Sequence, residues 1–144
     1  MPNSINVDFY ILEKSTKPQS RLFICRLLEK AYQQQQLVYI HVDSPAEAEQ
    51  LDTLLWTYRE DSFIPHNIYS SPQPMEPSIQ IGYTEKPPHH QEILINLCHE
   101  IPIFYAQFTH IIEIVFADPN VQQLARERFR QYRSQQCVMN THKV

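Results

Sequence analysis

Glycine is almost absent: Gly82 is the single example in 144 residues. Phosphate-binding loops of the GxGxxG or Walker type need several glycines to turn tightly and to bring the backbone against a phosphate. None can be built here, so an α/β chain of this composition has no conventional nucleotide site. Cysteine is scarce as well. Cys25, Cys98 and Cys137 are odd in number, far apart and never in CxxC spacing, which points to reduced thiols. No apolar run approaches the roughly 18 residues of a membrane span. The N-terminus, Met-Pro-Asn-Ser-Ile-Asn-Val-Asp, has neither a basic start nor the apolar stretch of a signal peptide. A cytoplasmic protein without a membrane partner is expected. Positive charge is not in excess either: a net charge of −4 disfavours general nucleic-acid binding.

Recognisable catalytic spacing is also missing. The seven histidines include His89-His90 and His99, but no H-x-x-x-H pair or carboxylate–histidine arrangement falls at ligand spacing on one helix. No G-x-S-x-G elbow presents a nucleophile. No catalytic residue, cofactor site or metal site is assigned, and the composition favours a binding module over an enzyme. Two rivals stay open on the residues alone: a small nucleotide-dependent enzyme on a doubly wound sheet, and a direct nucleic-acid binder.

What is present is a chain with 42% hydrophobic and 19% charged residues, enough apolar content for one domain spanning 1–144. Strand-forming runs alternate with helical ones. Ile5–Leu12 reads as a first strand, with Asp8 at an edge or strand end. Thr16-Lys17-Pro18 opens a helix that carries a broad apolar face to the glutamine run Gln33–Gln36. Leu37–Val42 reads as a strand buried on both faces. Ser44-Pro45-Ala46-Glu47 supplies an N-cap, a first-turn proline and the Glu of a capping box. The helix that follows is expected to reach about Tyr58, turning Ala48, Leu51, Leu54 and Leu55 inward and bearing the only tryptophan, Trp56, near its end. Residues 58–77 read as irregular, with an apolar loop at Phe63–Asn67 and a proline run at Pro72, Pro74 and Pro77. Ile79–Tyr83 and Glu92–Cys98 read as strands, Pro102–Phe108 as a short helix and His110–Phe116 as the last strand. Asp118-Pro119 then caps and starts a C-terminal helix. This alternation predicts a three-layer α/β domain: a largely parallel sheet with helices on both faces, resembling nucleotide-binding folds but lacking a phosphate loop.

The C-terminal helix carries the most informative stretch. Four of the 12 Lys and Arg residues lie within Arg126–Arg133. At about 100° per residue, Gln122, Arg126, Phe129, Arg130 and Arg133 share one face. Val121, Leu124, Ala125 and Tyr132 form a neighbouring apolar face. Arg128 falls among the apolar residues, where its stem is expected to run along the surface. Guanidinium groups around an aromatic suit an acidic, partly apolar ligand; the same strip also reads as an ordinary solvated face.

The order and spacing of several segments resemble the chi subunit of the bacterial DNA polymerase III holoenzyme over nearly the whole length. They are Phe9-Tyr10, Leu51-Asp52, Leu55-Trp56, Ser62-Phe63-Ile64-Pro65-His66-Asn67, Ile93-Leu94-Ile95-Asn96-Leu97, Phe108-Thr109 and Gln123–Arg133. The resemblance implies a subunit of a DNA-directed DNA polymerase, a nucleotidyltransferase complex, with no catalysis of its own and no cofactor. It implies a heterodimer with the psi subunit, attachment to the clamp loader through psi, and binding of the acidic C-terminal tail of the single-stranded-DNA-binding protein. By the same resemblance the tail site falls on Val115, Gln122, Arg126, Phe129, Arg130 and Arg133, with Gln122 where the family has a lysine and Phe129 where it has a tyrosine. The psi surface falls on Trp56 and Phe63, with Pro65 and His66 beside them, and an accessory helicase is a further candidate partner there.

Overall fold

The computed structural model describes residues 4–59, 63–71, 76–89 and 92–144. The expectations at Ser62, Pro72, Pro74 and His90 lie outside these residues. Capping chemistry sets the helices where the sequence places them. Thr16 accepts from the Gln19 amide and Gln19 returns a side-chain acceptor to the Thr16 amide, so α1 (Lys17–Gln33) starts with a full capping box. Ser44 caps α2 (Pro45–Thr57) by accepting from the Glu47 amide. The reciprocal half of that second box does not form. The Glu47 carboxylate turns instead to Lys17 at 3.0 Å and Arg21 at 3.4 Å, joining α2 to α1. Asp118 accepts from the amides of Asn120 and Val121 and starts α3 (Pro119–Ser134).

The strands are β1 (Asn6–Ile11), β2 (Val38–His41), β3 (His66–Ile68), β4 (Ile79–Gly82), β5 (Ile93–Asn96), β6 (His110–Val115) and β7 (Val138–Lys143). They form one sheet in the order β3-β4-β2-β5-β6-β1-β7, with every pairing parallel. Alternate side chains feed two cores, as the period of a strand requires. On one face Val38, Ile40, Ile93, Ile95, Ile112 and Ile114 pack against Ile24 and Leu28 of α1 and Leu51 and Leu55 of α2. On the other, Val7, Phe9, Tyr39, Leu94, Ile111 and Val115 pack against Ala125 and Tyr132 of α3. This is the expected three-layer α/β arrangement.

Three expectations need correction. His110–Phe116 is not the last strand, because β7 follows α3. Its residues, Val-Met-Asn-Thr-His-Lys, are mostly exposed, as befits an edge, and carry no apolar alternation. The irregular stretch 58–77 contains β3, only three residues long. Pro102–Phe108 yields a single 3-10 turn, Tyr105–Gln107, rather than an α-helix.

Glycine scarcity leaves its mark on the helix ends. Both α1 and α3 close in a Schellman arrangement: Gln36 N–H donates to Ala31 O at 2.9 Å, and Cys137 N–H to Tyr132 O at 3.2 Å. The left-handed residue in each is a glutamine, Gln35 at φ 58° and Gln136 at φ 65°, where glycine is the low-energy choice. Gly82, by contrast, has an ordinary φ and is required by space. A Cβ there would overlap the Tyr39 ring, which also stacks with Phe108 at a centroid distance of 6.2 Å. Two substitutions of opposite sign follow. Gln136→Gly should raise stability by about 0.5–1 kcal/mol by relieving the left-handed residue. Gly82→Ala should lower it by about 1–3 kcal/mol through overpacking. Urea unfolding of both variants reads the two signs.

Candidate functional site

Tertiary placement of α3 begins with the residue that breaks its pattern. Arg128 does not lie along the surface but points into the sheet. Its Nε donates to Glu113 Oε1 at 3.1 Å and its Nη1 to the His99 carbonyl at 2.9 Å. Glu113, fully buried on β6, also accepts from Asn96 Nδ2 of β5 at 2.9 Å and from Tyr132 Oη at 2.7 Å. Burial pushes the Glu113 carboxyl up, and Arg128 and the hydrogen bonds from Asn96 and Tyr132 oppose that rise. Sequence reasoning missed this network. Its only signal is a lone Glu inside an otherwise apolar strand, matched by one Arg on an apolar helix face.

With Arg128 turned inward, the flank bearing Arg126, Arg130 and Arg133 is left beside a cleft of ≈ 490 Å³ between α3 and the sheet. Gln122, Arg126, Phe129, Arg130 and Arg133 line it from the helix, and Val115 from β6. All six residues named from the sequence for the tail site are therefore brought together. The lining also includes Phe9 and Ile11 of β1, Glu13 just beyond it, and Thr141 of β7. Phe9 was legible as a strand residue but not as a wall of this cleft. Thr141 had no signal, because β7 itself was not expected.

The wall is firm. Phe129 meets Phe9 edge-on at 5.3 Å, and Val115 is 3% exposed. Among the described residues Arg126, Arg130 and Arg133 have no carboxylate partner, whereas Arg128, Arg21 and Lys17 all do. The one acid at the rim, Glu13, faces Lys143 at 3.5 Å. An apolar slot beside unpaired guanidinium groups suits an anion attached to an apolar group.

A second surface gathers around the tryptophan. Trp56 at the end of α2 is 47% exposed and Phe63 is 67% exposed, with ring centroids 5.5 Å apart. Pro65 is half-buried. His66 departs from the expected surface role. Its side chain is buried under Trp56, with ring centroids 4.3 Å apart, and its ring nitrogens face the carbonyls of Ile64 at 2.6 Å and Asp52 at 3.1 Å. It props the tryptophan instead of presenting itself to a partner. Among the described residues no group of three or more His, Cys, Asp or Glu is placed to hold a metal ion, and no helix is long and apolar enough to cross a membrane.

The family model described as DNA polymerase III chi subunit, HolC, matches residues 5–140. The chain belongs to the DNA polymerase III chi subunit family. It is 38% identical over 139 residues to DNA polymerase III subunit chi of Pseudomonas aeruginosa, covering 96% of each chain. To the subunit of the same name in Haemophilus influenzae it is 32% identical over 137 residues, covering 94% of this chain and 95% of the relative. To that of Escherichia coli it is 27% identical over 141 residues, covering 94% and 96%.

The buried pair generates a stability test. Arg128→Ala leaves Glu113 without its cation and should cost about 3–5 kcal/mol. Arg128→Met combined with Glu113→Gln removes both charges and should cost markedly less. Chemical denaturation of the single and double variants gives the comparison, and equal losses would mean the ion pair does not hold α3.

Proposed function

We propose that this protein is a non-catalytic accessory subunit of the replicative DNA polymerase III holoenzyme. In this role it joins the psi subunit, and through psi the clamp loader, to the acidic C-terminal tail of the single-stranded-DNA-binding protein. The observation that carries the tail assignment is the cleft: three guanidinium groups without carboxylate partners among the described residues, flanking an apolar slot. The terminal side chain of the tail is buried against Phe129 and Val115. Its carboxylate takes charge-assisted bonds from Arg126, and the upstream acids meet Arg130 and Arg133. Gln122 offers a neutral donor where a lysine would add charge, and Phe129 keeps an aromatic wall without a hydroxyl.

Psi is assigned to Trp56 and Phe63, with Pro65 at the margin and His66 as their support. Two large exposed aromatics in contact are the kind of anchor that partner surfaces cover. An accessory helicase would compete for the same patch. The two surfaces are well separated. Trp56 adjoins β3 at one edge of the sheet, and Thr141 lies on β7 at the other. Six strand spacings put those edges roughly 29 Å apart, and α2 and α3 lie on opposite faces.

Arg126→Ala should weaken binding of an acidic tail peptide by about 2–3 kcal/mol, roughly 30- to 150-fold. Arg133→Ala, at the rim, should cost under about 1 kcal/mol, and affinity should fall as salt rises. Isothermal titration of the two variants decides the point, since equal small losses would reduce the strip to a diffuse positive field.

Trp56→Ala should weaken psi binding by about 2 kcal/mol or more while the fold and tail binding persist. Unfolding of that variant would make Trp56 a core residue and end the patch assignment. Psi and the tail peptide should also bind together, so saturating psi should leave the peptide affinity unchanged in a competition titration.

A further inference from the structure

β7 is the last strand in the sheet order, with only β1 beside it among the described residues. Its inner side is fixed: Val138 N–H donates to Ile5 O at 2.8 Å, and Val144 N–H to Ile11 O at 3.0 Å. Because main-chain groups alternate with a period of two, Asn140 and His142 also face β1. The N–H and C=O groups of Met139, Thr141 and Lys143 therefore face outward. The edge has no proline or bulge and is not short, and its one lysine, Lys143, faces Glu13 at 3.5 Å. At six residues it is twice as long as β3 on the opposite edge. It is also held firmly. Asp8 of β1 accepts from His142 Nε2 at 2.8 Å and contacts His110 Nε2 through its other oxygen, and His142 stacks on Tyr10 at 4.8 Å.

Thr141 belongs both to this open edge and to the arginine-flanked cleft. The spacing along the two elements also agrees. Arg126 and Arg130 are about 6 Å apart along the helix axis, and alternate side chains of an extended peptide are about 6.6 Å apart. A strand laid outside β7 would thus repeat its side chains at nearly the spacing of Arg126 and Arg130.

We propose that the acidic peptide seated in the cleft continues along the outer edge of β7 as an added strand, hydrogen-bonded to the main chain of Met139, Thr141 and Lys143. The proposal rests on the assignment of the cleft to an acidic tail. It adds a sequence-independent main-chain component to recognition, leaving the cleft to select the terminal apolar residue and the arginines to select acids.

The test uses the full chain and a synthetic probe of alternating aspartate and serine closed by a phenylalanine with a free carboxylate. Two further probes carry Nα-methyl groups on one alternate set of amides or on the other. Strand addition is supported if one methylated set loses affinity tenfold or more while the other stays within about twofold, and if amide exchange at Met139, Thr141 and Lys143 slows on binding the parent probe. If both methylated probes bind like the parent and those amides are unprotected, while Arg126→Ala still weakens the parent, strand addition is overturned and the cleft assignment stands. If Arg126→Ala binds the parent probe as tightly as the unaltered chain does, the cleft assignment fails and strand addition falls with it.

Discussion

A single buried carboxylate organises the working half of the molecule. Glu113 sits fully buried in the middle of β6, and it is tolerable there only because Arg128, Asn96 and Tyr132 all donate to it. Those donors come from β5 and from two positions on α3, so the same bonds that satisfy the charge also fix the rotation of the helix. With Arg128 pointing inward, Arg126, Arg130 and Arg133 are left on the flank beside the cleft. A buried ion pair is a weak source of net stability; here its consequence is register, which an apolar contact would set less strictly.

The layers were legible because each rests on a local rule. Capping residues marked the three helix starts at Thr16, Ser44 and Asp118, and nearly continuous apolar runs marked β2, β5 and β6. The arginine strip was legible because helical periodicity groups 122, 126, 129, 130 and 133 whatever the helix packs against. What escaped the sequence depends on distant partners. β7 is a polar edge strand whose one partner among the described residues, β1, comes more than a hundred residues earlier. β3 is too short for alternation to register. Glu47 satisfied a capping-box pattern but found two cations on α1. Arg128 looked like a snorkelling side chain because its carboxylate lies on another element.

The shortage of glycine also shapes the fold. Helix ends that would ordinarily carry glycine use Gln35 and Gln136 in the left-handed region, while the one glycine is kept where the Tyr39 ring occupies the space of a side chain. Backbone strain at two exposed turns is thus accepted, and steric room is reserved for the aromatic cluster of Tyr39, Phe104 and Phe108 beneath the second face.

The all-parallel order of the sheet has a mechanical meaning. A load applied between β3 and β7 runs across the strands, so the six ladders carry it in series and each bears the full tension. The ladders are unequal: β1 makes six residue pairs with β6 and six with β7, β2 makes four with each neighbour, β5 makes four with β6, and β3 makes three with β4. The β7 edge is further clamped through Asp8. The β3 edge is therefore the more weakly laddered one and leans on α2 for support, whereas the arginine cleft lies beside the most strongly laddered edge.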